Sequence, residues 1–64
     1  MNGAKLLIAL SMILETYELR LAAAQRWRQV MELVGDRDQL RRARRDESRC
    51  EHIVNTIVAF QARY

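Results

Sequence analysis

The chain contains no proline and only two glycines, Gly3 and Gly35, in 64 residues. Proline breaks a helix because its ring clashes with the preceding turn, and glycine weakens a helix through its large loss of conformational entropy. The stretch between the glycines and the stretch after Gly35 can therefore each form one long helix. Gly35 is suited to end the first helix, because glycine adopts the left-handed conformation of a helix C-terminus without a Cβ penalty.

Apolar residues recur at alternating intervals of four and three along the first half of the chain, which is typical of one face of a helix. This stripe comprises Leu6, Leu10, Ile13, Tyr17, Ala24, Trp27, Met31 and Val34. Arg20 is the one break in the stripe, and Leu14 and Leu21 widen it on one side. We therefore predict a first helix over about residues 4–34, with Asn2 as its N-terminal cap.

Residues 35–37 form the only turn signal, and a second helix is predicted over about residues 38–63. Asp36 can cap this helix by accepting from an unsatisfied backbone N–H, and with Gln39 three residues later it resembles a capping box; Asp38 is the rival cap. The apolar stripe of this helix comprises Leu40, Ala43, Cys50, Ile53 or Val54, Ile57, Phe60 and Tyr64. A connection this short makes consecutive helices antiparallel.

The two stripes agree in register when residues whose numbers sum to about 70 or 71 are placed at the same height. Trp27 then falls opposite the small Ala43, as a closely packed seam requires. The other expected pairs are Met31 with Leu40, Ile13 with Ile57, Leu10 with Phe60 and Leu6 with Tyr64. The sequence therefore predicts an all-α, coiled-coil-like, antiparallel two-helix hairpin that forms a single domain over residues 1–64.

Such a hairpin has little core for its size, because two helices touch along one seam only. Half of the residues are apolar, and at the open end of the hairpin they surround both helices, a pattern that indicates an interface. The residues expected to contact a partner, or to support that contact from the seam, are Leu7, Leu10, Ile13, Leu14, Val54, Ile57, Val58 and Phe60. We expect a different protein or a second copy of the chain to complete the fold, the former being preferred, and a membrane surface is a third alternative.

No pattern for catalysis, cofactor binding or metal binding occurs in the sequence. Cys50 is the only cysteine and His52 the only histidine, and helical residues two apart point to different sides. We therefore predict that the chain is not an enzyme and binds no cofactor or metal.

The positive charge is concentrated near the turn, where residues 37–49 contain six arginines against Asp38, Asp46 and Glu47. Such a run can neutralise phosphates, so a homodimeric hairpin that binds RNA or DNA through its Arg-rich turn end is the alternative function. The arginines surround the helix, acids interrupt them, and no aromatic residue is interleaved for base stacking. A solvated turn end is therefore the preferred interpretation.

The N-terminus resembles a signal peptide in part, because Lys5 precedes the apolar run of residues 6–14. Glu15 and Glu18 follow where a small-residue cleavage site should lie, and the run is about half the length of a membrane span. The sequence therefore predicts a cytoplasmic chain with no membrane span.

The order of these features resembles that of the small co-chaperones of type III secretion needle subunits, the YscE-type family of Gram-negative bacteria. The likeness covers the whole length, from a long first helix through the turn at Gly35 and Asp36 to a polar stretch with Gln39. The most similar part is the C-terminal segment 51–64, with Glu51-His52-Ile53-Val54-Asn55-Thr56-Ile57 leading into an aromatic-tipped end. The short leading segment and the many arginines depart from the family pattern.

This resemblance implies a bacterial cytoplasmic hairpin that binds a TPR-like helical chaperone. In the family, that chaperone cradles the polymerising helix of the needle subunit, and the pair keeps the subunit monomeric until export. The resemblance therefore implies a co-chaperone whose direct partner is a helical protein and whose indirect partner is a needle subunit.

Overall fold

The computed structural model describes residues 3–63, which form two α-helices and no strand. Helix α1 spans Gly3–Val34 and helix α2 spans Arg37–Gln61. The helices lie side by side in a rod of 49 × 14 × 14 Å. They run antiparallel, because Arg28 near the turn contacts Glu47 while Ser11 near the open end contacts Gln61. The predicted all-α antiparallel hairpin is confirmed.

Gly35 and Asp36 make the turn between the helices through local hydrogen bonds. Gly35 has φ of 79°, in the left-handed region, and its N–H donates to the carbonyl of Met31 at 2.9 Å. The Oδ1 of Asp36 accepts from the backbone N–H of Gln39 at 3.0 Å, which caps α2. Because the cap is Asp36, α2 begins at Arg37, inside the segment predicted as turn.

The described end of α2 departs from the predicted bound. Helix α2 ends at Gln61, two residues before the predicted end, and residues 62 and 63 form a turn. In that turn the N–H of Ala62 donates to the carbonyl of Val58 at 3.1 Å, so the helical pattern of bonds persists to the last described turn. The predicted cap Asn2 and the predicted seam residue Tyr64 lie outside the described residues.

The seam between the helices consists of buried and half-buried residues at alternating intervals of three and four. From α1 it takes Leu7, Leu10, Leu14, Tyr17, Leu21, Ala24, Arg28 and Met31. From α2 it takes Leu40, Ala43, Glu47, Cys50, Val54, Ile57 and Gln61. The two series pair when residue numbers sum to 71. Within residues 3–63, the only buried apolar side chains are those of Ala24, Ala43, Cys50 and Ile57.

The seam on α1 differs from the predicted stripe by one residue at every second position. Ile13 and Val34 were predicted to lie in the seam, and the prediction was wrong because they are 45% and 66% exposed. Phe60 on α2, 38% exposed, was wrongly placed in the same way. Leu14 takes the level of Ile57 that was predicted for Ile13.

The same shift moves Trp27 out of the seam. Arg28, and not Trp27 as predicted, lies at the level of Ala43. The shift has a physical cause, since it brings Leu14 and Leu21 into the seam and removes Arg20 from it. The charge that enters instead is Arg28, and it has a partner on the facing helix.

Arg28 and Glu47 form the polar layer of the seam. The Nε of Arg28 donates to Glu47 Oε1, and Arg28 Nη1 donates to Glu32 Oε1 at 2.9 Å. Arg44 completes the network with an ion pair to Glu32 at 3.9 Å. Two hydrogen bonds raise the pKa of Arg28 above its usual value. The bond to Glu47 has the larger effect and the bond to Glu32 the smaller. A paired charge at a seam position favours one register, because a slipped register leaves the charge unpaired.

Candidate interaction surface

Helix α1 carries a second repeat with the same spacing as its seam, displaced by one residue. One residue is about 100° around a helix, so the second repeat forms a separate face beside the seam. We call this set the outer face. It comprises Leu6, Ala9, Ile13, Thr16, Arg20, Ala23, Trp27, Val30 and Val34. Leu6 and Trp27 are half-buried at its border with the seam, and the other members are exposed.

Further large apolar side chains extend the outer face around α1. Met12, Leu19 and Leu33 are 65%, 70% and 89% exposed. They are seven and fourteen residues apart, so they lie along one line of the helix next to the outer face, with Arg26 at the position between Leu19 and Leu33. Exposed apolar residues therefore extend around α1 from the seam towards the opposite side, interrupted by Thr16, Arg20 and Arg26. A helix of this kind is normally buried on more than one side.

Helix α2 borders the outer face with Ile53, which is half-buried, and Phe60, seven residues later at the same position of the repeat. The surface depression between the helices on this side joins Arg20 and Ala23 of α1 to Ile53 of α2. Its complete lining is Tyr17, Arg20, Ala23, Asp46, Arg49, Cys50 and Ile53. The outer face and this edge of α2 thus form one continuous surface, which we call the outer groove.

Nearer the turn, the outer groove places Trp27 among charged residues of α2. One depression is lined by Trp27, Arg42, Arg45, Asp46 and Arg49. The sequence has no aromatic residue between these arginines, but the fold supplies one from the other helix. Trp27 lines this depression because the fold brings together residues that are far apart in sequence.

The opposite side of the hairpin is polar from Arg44 to Asn55 of α2. Its depression is lined by Arg28, Arg44, Glu47, Ser48, Glu51, His52 and Asn55. His52 is exposed on this side, while the thiol of Cys50 is buried in the seam. Among residues 3–63, no three side chains of the His, Cys, Asp or Glu type come together in a way that could hold a metal ion.

The structure divides the residues predicted to contact a partner into three groups. Five of them belong to the seam, namely Leu7, Leu10, Leu14, Val54 and Ile57. Ile13 and Phe60 lie in the outer groove. Val58, 50% exposed, lies on the polar side, seven residues after Glu51 and fourteen after Arg44. One docked helix therefore cannot contact Val58 together with Ile13 and Phe60.

Sequence reasoning missed Val30, Leu19 and Leu33 as surface apolar residues, and it placed Trp27 in the seam. A signal for them was present, because α1 contains two complete repeats of three and four and one partner helix can cover only one of them.

Comparisons with protein-family models, with curated proteins and with solved structures found no match to this chain. Neither helix, as far as residues 3–63 extend, has the length and apolarity needed to cross a bilayer.

Proposed function

We propose that this chain is a protein-binding subunit that docks a helical partner on its outer groove. In the form that the sequence resemblance suggests, it is a co-chaperone that pairs with a TPR-like chaperone and keeps a type III secretion needle subunit monomeric before export. The observation that carries the proposal is the exposed outer face of α1. The co-chaperone role rests on the sequence resemblance, and the location of the docking surface rests on the exposed residues of α1.

The total exposed area of the hairpin supports a missing partner. The chain exposes 5174 Å², whereas a compact monomer of 7.5 kDa is expected to expose about 4,200 Å². The excess of about 1,000 Å² is similar to the roughly 800 Å² that one partner contributes to a standard interface. A partner helix laid in the outer groove would bring the exposure back to the range of a compact fold.

The distribution of the exposed apolar residues supports the same conclusion. Single exposed aliphatic side chains are ordinary, but a contiguous row of them on a small protein is typical of an interface. Ile13, Val30 and Val34 are spaced along most of α1, with Leu19 and Leu33 beside them. Binding would also stabilise the hairpin and its partner by mass action, because each binds only the folded form of the other.

Affinity purification from the native host tests this proposal. The tagged chain is expected to recover a helical-repeat chaperone together with a needle subunit. Ile13→Asp is expected to abolish recovery, because it places a charge in the outer groove. Val58→Asp is the matched control, since Val58 has nearly the same exposure as Ile13, 50% against 45%, and lies on the polar side. Equal loss with both variants, or loss with Val58→Asp alone, would contradict the placement of the interface.

The position of Trp27 favours a second candidate function, which is binding of RNA or DNA. Proteins that bind single-stranded nucleic acids commonly place an aromatic side chain beside basic residues. The aromatic ring stacks on a base and the basic groups contact the phosphates. A salt titration with a generic RNA or DNA separates the two candidates. Nucleic-acid binding requires affinity to fall steeply as salt rises, because phosphate contacts release counterions.

A further inference from the structure

In the described part of the chain, the arginines along the outer groove form no ion pair with an acidic side chain. Within residues 3–63, ion pairs are made by Arg28 and Arg44, whereas Arg42, Arg45 and Arg49 make none. The guanidinium of Arg20, on the outer face, lies 5.2 Å from the ring centroid of Tyr17. A set of guanidinium groups without carboxylate partners is ready to bind an anionic group from outside.

The outer groove is therefore divided along its length. Its half near the turn is basic along α2, where Arg42, Arg45 and Arg49 lie beside Trp27 with the single Asp46. On α1 the same half carries the exposed Val30 and Val34. Its half near the open end is apolar, with Leu6, Ala9, Ile13 and Phe60. An occupant that fits both halves must present acidic groups at one end and apolar groups at the other.

A second copy of the chain does not meet these requirements. Arg20 lies at the midpoint of the outer face, which runs from Leu6 to Val34. A two-fold axis that overlaps two outer faces fully brings Arg20 against its own copy, whether the helices are parallel or antiparallel. Arg49 and Asp46 border the same depression as Arg20, so two arginines stand against one acid and the net charge at that place is positive. Repulsion between like charges disfavours this pairing.

A nucleic acid meets only one of the two requirements. Its phosphates would satisfy the arginines and a base could stack on Trp27, but Ile13 and Phe60 would stay in contact with water. An amphipathic helix with acidic side chains satisfies both halves of the groove.

We propose that the outer groove binds an amphipathic helix of a different protein, with its acidic residues over the Trp27, Arg42, Arg45 and Arg49 cluster and its apolar residues over Ile13 and Phe60. This inference rests on the proposed function and adds to it the chemistry and polarity of the partner. It predicts that recognition has an electrostatic component, so that binding weakens as salt screens the arginines.

Trp27 provides a direct measurement, because it is the only tryptophan in the chain and lies inside the groove. The probes are three synthetic helical peptides of about 28 residues, long enough for four repeats of the outer face. They share one leucine and alanine repeat, contain no Trp or Tyr, and carry Glu, Gln or Lys at the flanking positions of one half. The Glu peptide is expected to shift Trp27 emission to shorter wavelength and to bind about tenfold more tightly than the Gln peptide, as two or three exposed ion pairs allow. The Lys peptide is expected not to bind.

Two double variants with equal changes of net charge locate the effect. Arg42→Gln with Arg49→Gln is expected to remove the preference for the Glu peptide. Arg37→Gln with Arg41→Gln is the control and is expected to keep the preference, since these two residues line a different depression, together with Leu40 and Arg44. Circular dichroism of each variant checks that the helices remain formed.

Several results would overturn the inference, and they do so in distinguishable ways. Equal binding of the Glu and Gln peptides would refute acidic recognition while leaving the proposed function standing. No binding of any peptide would refute the inference, and the purification experiment above would then decide the proposed function by itself. Tighter binding of a 20-nucleotide oligothymidylate than of the Glu peptide at Trp27 would assign the groove to nucleic acid. A homodimer that the Glu peptide does not dissociate would assign it to a second copy.

Discussion

The pair of variants Leu14→Ala and Ile13→Ala tests which stripe of α1 faces α2. The two residues are adjacent, and both substitutions remove three carbon atoms. Leu14 is half-buried in the seam, whereas Ile13 is 45% exposed on the outer face. The chemistry is therefore the same in the two variants, and only the surroundings differ.

The expected magnitudes follow from the burial of each side chain. Complete burial is worth about 0.8 kcal/mol per carbon, or about 2.4 kcal/mol for three. Leu14→Ala should cost about 2 kcal/mol, because most of the side chain is shielded and a gap remains in the seam. Ile13→Ala should cost about 0.5 kcal/mol, since half of the side chain is already in water and Ala is the better helix former. We expect a difference of about 1.5 kcal/mol.

Urea unfolding followed by circular dichroism measures this difference. For a small protein with a slope near 1 kcal/mol per molar urea, the two midpoints should differ by roughly 1.5 M. Sedimentation at the same concentration checks that both variants are in the same oligomeric state, because association would add its own stability. An equal or larger loss for Ile13→Ala would refute the seam described here and restore the stripe through Leu6, Ile13 and Trp27.

Three further predictions concern the turn and the polar layer. Gly35→Ala should lower the free energy of unfolding by about 1 kcal/mol, because an added Cβ meets no atom within 4 Å and only the φ of 79° opposes it. In the same denaturation assay Gly3→Ala, in helical backbone with equal space, should cause no loss. Asp36→Ala should cost about 1 kcal/mol through loss of the cap on α2, whereas Asp36→Asn should be nearly neutral; equal losses would argue against capping. Arg28→Leu with Glu47→Leu should raise the urea midpoint but produce more than one set of amide resonances, because an apolar layer no longer favours one register.

The local features of the fold were predictable from the sequence. Gly35 and Asp36 act through their own backbone and their nearest neighbours, so their roles can be inferred from residue type and position alone. The same is true of the antiparallel arrangement, which follows from the short turn. Leu40, Ala43 and Cys50 were also placed correctly, since they are the only apolar residues in segment 37–52 and leave one choice of face, which Ile57 continues.

The seam of α1 was less predictable, because this helix offers two apolar repeats and not one. Ile13 and Leu14 are equally apolar, so periodicity alone does not choose between them. The choice depends on α2, where Glu47 pairs with Arg28 in the observed seam. The approach of Trp27 to the Arg42 and Arg49 side of α2 is likewise a result of tertiary packing, and no local signal marks it.

Photo-crosslinking in the native host tests the central claim most directly. The photoreactive amino acid p-benzoylphenylalanine is placed at position 13 in the outer groove or at position 58 on the polar side, two sites of nearly equal exposure. We predict a covalent adduct with one helical protein from position 13, and no such adduct from position 58. Adducts of equal yield from both positions, adducts from position 58 alone, or adducts only with a second copy of the chain would contradict the claim that the outer groove docks a different protein.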